Sequence, residues 1–120
     1  LNTMPYLARL VEAVPNLQMR IIGSKRGRKV LKAHRTPDGR TATPTVILLD
    51  DGYRESGCWV ERPAELQRWF QQKKKTLSER ELHDQKYAWY ANDKGDQTIR
   101  EIVEMLASAA AGRPTCGKKR

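Results

Sequence analysis

Residues 40–59, RTATPTVILLDDGYRESGCW, limit the folding choices of this chain more than any other stretch. An apolar run, Thr45–Leu49, and an alternating run over residues 53–59 flank Asp50-Asp51-Gly52. Asp-Gly between two such runs is a strong short-range signal for a β-hairpin. Asp50 and Asp51 read as turn residues rather than as an acid/base pair, because Asx side chains satisfy the backbone of such turns. The hairpin is entered through Thr43-Pro44. Proline offers no N–H to a ladder, and an X-Pro bond adopts the cis form at modest cost. A cis bond would bend the chain and turn the Thr43 backbone N–H and C=O outward, where an extended peptide could pair with them. A trans proline that simply opens a strand fits the same residues.

The remaining elements follow from periodicity. Met4, Leu7, Leu10, Val11 and Val14 recur at helical spacing over residues 2–14, with Pro5 in the first turn and Pro15-Asn16 as the stop. Leu17, Met19 and Ile21 alternate with polar residues, so residues 17–23 read as a strand. Residues 24–35 read as a helix weakened by Gly23 and Gly27, and residues 36–39 as a turn. Beyond the hairpin, Pro63 suits the start of a helix carrying Leu66, Trp69 and Phe70 on one stripe. Ser78 and Glu81 form a capping box, with Leu77 and Leu82 as a hydrophobic staple, so a helix runs from Ser78 to Trp89 or Tyr90. A last amphipathic helix begins at Asp96 or Thr98, carries Ile99, Ile102, Val103 and Leu106, and ends at Ala111. The fold class is α/β with a mixed sheet and flanking helices. Residues 1–111 make the domain and residues 112–120 a basic, disordered tail.

Charge is more informative for its distribution than for its sum of +9. Lys25, Arg26, Arg28, Lys29, Lys32, Arg35 and Arg40 are opposed between them only by Asp38. Such a run suits nucleic acid or an acidic protein, and it equally suits a solvated helix face. No apolar run is long enough to span a bilayer and no leader precedes the first helix, so no membrane partner and a cytoplasmic location are expected. The two cysteines, Cys58 and Cys116, form no Cys-x-x-Cys and no metal-ligand spacing with His34 or His83. Cys58 reads as a packed thiol and Cys116 as an exposed, incidental one, with a disulfide or zinc site the weakest reading. No cofactor fingerprint is present.

Three segments together resemble the bacterial thioredoxin-like family. LNTMPYLARLVEAVPNLQMRII resembles the helix and strand after that family's active-site motif, RTATPTVILLDDG its cis-proline strand, and GCWVERPAELQ its Gly-x-Trp-x-x-Arg-Pro junction. The resemblance covers residues 1–71 and, more loosely, the helices to Ala111. It implies a thioredoxin-like fold, incomplete at the N-terminus and with extra C-terminal helices. It also implies a thiol-disulfide oxidoreductase whose Cys-x-x-Cys is absent from this chain, which is inactive as given. Thr43 and Pro44 match functional positions, for pairing with the backbone of a protein or peptide disulfide substrate. In such a fold another strand lies between residues 17–23 and Thr45–Leu49, and without it the exposed edges favour self-association. The alternatives are a redox-inactive, peptide-binding adaptor and a basic module that binds nucleic acid or an acidic protein.

Overall fold

The structure, a computed structural model, describes residues 3–116. Helix α1 (Met4–Ala13) is followed by an irregular passage and a short helix α2 (Arg28–Ala33). Strands β1 (Thr45–Leu49) and β2 (Glu55–Val60) form the hairpin. Helices α3 (Ala64–Lys73), α4 (Glu79–Asp93) and α5 (Asp96–Ala110) then lead to a two-residue strand, β3 (Thr115–Cys116). The sheet has the order β1-β2-β3, antiparallel in its first pair and parallel in its second. It is therefore mixed, with β2 and β3 as its parallel pair.

Residues 17–23 form no strand. Alternation supplies a face but not a partner, and a strand exists only where a second backbone answers its hydrogen bonds. Ile21 and Ile22 are accordingly 70% and 59% exposed. The next helix is shorter than residues 24–35 suggest, because residues 24–27 make a turn closed by the Gly27 N–H on the Gly23 carbonyl at 3.0 Å. A second correction concerns the C-terminus. Thr115 and Cys116, assigned by composition to a disordered tail, instead pair in register with Gly57 and Cys58. Residues 117–120 of that tail lie outside the described residues.

The hairpin turn spans Asp50 to Arg54, and the Asp50 carboxylate organises it by accepting from the Gly52 and Arg54 amides at 2.8 and 2.9 Å. The left-handed residue is Tyr53, at φ 62°, rather than Gly52. Ser78 and Glu81 make the reciprocal capping box at the start of α4.

The core gathers Leu7 of α1, Trp59 of β2, and Ile102 and Met105 of α5, with Met4, Leu10, Val46, Leu48 and Leu106 packed around them. Close approach explains two glycines. A Cβ on Gly57 would lie 2.7 Å from the Met105 Cγ, and one on Gly95 would lie 2.4 Å from the Tyr6 ring. Among the described residues no helix is long and apolar enough to cross a membrane.

Candidate functional site

Backbone geometry comes first at the mouth of the hairpin. The Thr43-Pro44 peptide bond is cis, Thr43 is exposed and Pro44 is partly buried. The Pro44 carbonyl accepts the Glu61 N–H at 2.7 Å. Val46 faces Trp59 and Leu48 faces Gly57 in the same ladder. Antiparallel pairs alternate between hydrogen-bonded and non-hydrogen-bonded positions. Pro44, Val46 and Leu48 therefore direct their backbone groups at β2, while Thr45 and Ile47 direct theirs away from it. Among the described residues no hydrogen bond reaches the Thr43 N–H or C=O. Thr43, Thr45 and Ile47 thus line one open backbone edge.

A polar network braces that mouth. Within the loop before the strand, the Thr36 hydroxyl donates to Asp38 Oδ1 at 2.6 Å and accepts the Arg40 N–H at 2.9 Å. Arg40 donates from Nε to Asp38 Oδ2 at 2.8 Å and from Nη2 to Glu61 Oε1 at 2.9 Å. Arg62 pairs with the other Glu61 oxygen at 2.5 Å, and its guanidinium lies 4.1 Å over the Phe70 ring. A hydrogen bond from Arg40 holds the Asp38 carboxyl well below the usual carboxylate range, with the Thr36 hydroxyl adding to it. Burial pushes Glu61 upward, but the bonds from Arg40 and Arg62 outweigh it and leave the carboxyl lowered. The two carboxylates in turn raise Arg40 above its ordinary value.

This network divides the basic run read from the sequence. Arg40 is neutralised by Asp38 and Glu61, and Arg35 donates to the Gly39 carbonyl at 3.0 Å. Lys25, Arg26, Arg28, Lys29 and Lys32 are exposed along the turn and α2, with no ion pair to a described residue.

A second cluster lies farther along β2, and its members were not brought together by sequence reasoning. Cys58 and Cys116 form a disulfide, with Cα atoms 4.4 Å apart. The reading of two separate thiols is therefore corrected: parallel pairing of β3 with β2 sets Cys116 directly beside Cys58. His34, at the end of α2, meets Glu55 of β2 at 2.6 Å next to this bond. These residues are 21 and 58 positions apart in sequence, too far for any local motif. An even cysteine count was the one available signal.

A sheet whose hairpin opens on a cis-proline and closes through an Arg-Pro junction into helix α3, with β1 at its edge, defines a small α/β domain. A family model described as thioredoxin matches residues 1–76, more than half of the chain, so the chain belongs to the thioredoxin family. The match takes in α1 through α3 and stops before α4. No curated protein and no solved structure matches the chain.

Proposed function

We propose that this thioredoxin-family chain serves thiol-disulfide chemistry by holding an extended segment of a protein partner along Thr43, Thr45 and Ile47. One observation carries the reading: three outward-facing backbone positions form an open edge beside a cis X-Pro bond. Strand addition takes its affinity from main-chain hydrogen bonds, and such an edge supplies them. The chain's own residues serve holding rather than exchange. Exchange needs an accessible, activated thiolate; Cys58 is 3% exposed and bonded to Cys116. The same edge is open to a second copy of the chain.

The test compares an extended peptide carrying an intramolecular disulfide with two relatives, one N-methylated along its backbone and one with serine for both cysteines. Binding that N-methylation abolishes supports strand addition. Equal affinity for the serine peptide favours a redox-inactive adaptor, and undiminished binding of the N-methylated peptide removes the proposal.

A second reading is carried by the five exposed cations around α2 that make no ion pair with a described residue, and it takes nucleic acid or an acidic protein as the partner. It requires affinity that falls steeply with salt and that weakens when Lys25, Arg26, Arg28 and Lys29 are neutralised together. No binding at low salt eliminates it.

A further inference from the structure

His34 is oriented more firmly than an exposed helix end requires. Its Nδ1–H donates to the Val30 carbonyl at 2.7 Å, and its side chain is only 12% exposed. That carbonyl can only accept, so Nδ1 carries the hydrogen and Nε2 is the nitrogen presented to Glu55 Oε1 at 2.6 Å. A backbone carbonyl fixing one ring nitrogen while the other faces a cluster of donors is the usual setting of a metal-binding histidine. One ligand atom each from His34, Glu55 and Cys58 lies within 4.8 Å of the others. The Cys116 sulfur, bonded to that of Cys58, is necessarily beside them. A surface groove lined by His34, Glu55, Gly57, Thr115 and Cys116 gives access from solvent.

In the oxidised chain these groups cannot act as a metal site, because a disulfide sulfur is not a thiolate ligand. We propose that the Cys58–Cys116 disulfide is a latch over a latent zinc site, and that its reduction creates a set of four ligands: His34 Nε2, a Glu55 carboxylate oxygen, and the Cys58 and Cys116 thiolates. A dithiol reductant supplies two electrons and two protons, becomes a disulfide itself, and leaves two thiols on the chain. Zn²⁺ then displaces both thiol protons and takes the place of the hydrogen bond between His34 and Glu55.

Two thiolates with an imidazole and a carboxylate select Zn²⁺ over Mg²⁺ or Ca²⁺, which take oxygen ligands. Ligand atoms around tetrahedral zinc lie roughly 3.3–3.8 Å apart, given Zn–N near 2.0 Å and Zn–S near 2.3 Å. The cluster needs to tighten by only about 1 Å from its widest spacing, while the two sulfurs move apart once their bond is broken. Pairing of β3 with β2 keeps Cys116 in place during that change. The metal then replaces the covalent tie between the two strands. Disulfide and zinc are mutually exclusive occupants, which makes metal binding a readout of redox state. This inference does not depend on the partner-holding reading of the β1 edge.

The experiment uses the full chain, reduced with a phosphine under anaerobic conditions or left oxidised, and titrated separately with Zn²⁺ and Co²⁺. The reduced chain should take up one equivalent, and its cobalt form should show thiolate-to-metal charge transfer with the visible bands of tetrahedral coordination. The oxidised chain should take up none. His34→Ala and Glu55→Gln, each purified with the disulfide intact and then reduced, should weaken zinc binding by about tenfold or more. Near-UV circular dichroism establishes that each reduced protein keeps its tertiary packing. Zinc uptake by the oxidised chain, no uptake by the reduced chain, uptake only by a reduced chain that has lost that packing, or wild-type affinity in both variants would overturn the proposal.

Discussion

Glu101 joins two parts of the molecule through a single carboxylate: one oxygen accepts the Trp59 indole N–H at 2.7 Å, and the other accepts the Ala64 N–H at 2.9 Å. The second bond places negative charge at the N-terminus of α3, where the helix dipole favours it. Glu101→Gln keeps the shape but has only one acceptor oxygen for two donors, and should cost about 1–3 kcal/mol in urea unfolding. Gly95 is constrained differently, since its φ of +78° and the Tyr6 ring both exclude a side chain. Gly95→Ala should lose at least about 1 kcal/mol, with part of the loss recovered when Tyr6→Ala is added. Asp38 and Glu61 make stability depend on pH. Both carboxyls are lowered in the folded chain, so their contribution is complete above the unfolded carboxylate range and is lost progressively as pH falls from that range through the lower folded values. The urea midpoint should therefore begin to drop near about pH 5 and go on dropping below the ordinary carboxylate range, and Asp38→Asn combined with Glu61→Gln should flatten that slope.

At the scale of elements, local chemistry was legible in the sequence and long-range pairing was not. Asp50-Asp51-Gly52 announces the hairpin, and Ser78 with Glu81 announces α4, because each signal completes its hydrogen bonds within a few residues. The 17–23 segment has the same alternation as a strand yet remains outside the sheet, since no described backbone lies alongside it to form a ladder. Strand β3 fails in the opposite sense. Its surroundings, with Gly112, Pro114 and Lys118 nearby, look like a tail, and only pairing with Gly57 and Cys58 makes it a strand. The bend at Thr43-Pro44 was legible because it lies at a strand mouth; the grouping of His34, Glu55, Cys58 and Cys116 was not, because the fold alone assembles it. The disulfide closes a loop with a sequence separation of 58 residues. On the chain-entropy account its loss costs about 4 kcal/mol, so Cys116→Ser, or reduction in the absence of zinc, should lower the unfolding free energy by up to that amount in urea.

At the scale of the whole molecule, the thioredoxin-family part and the C-terminal helices are one structure. Helix α5, beyond the matched residues 1–76, supplies Ile102 and Met105 to the core that Leu7 and Trp59 begin. Helix α5 therefore supports β2 of the hairpin, and β1 stands at the edge of the sheet. The most direct measurement of this account is site-resolved amide hydrogen exchange with and without a saturating extended peptide that contains a disulfide. The Thr43, Thr45 and Ile47 amides, which face away from β2, should gain protection on peptide addition, while Val46 and Leu48, already paired, should change little. Saturating peptide that leaves Thr43, Thr45 and Ile47 unprotected while protecting the basic residues around α2 would contradict it.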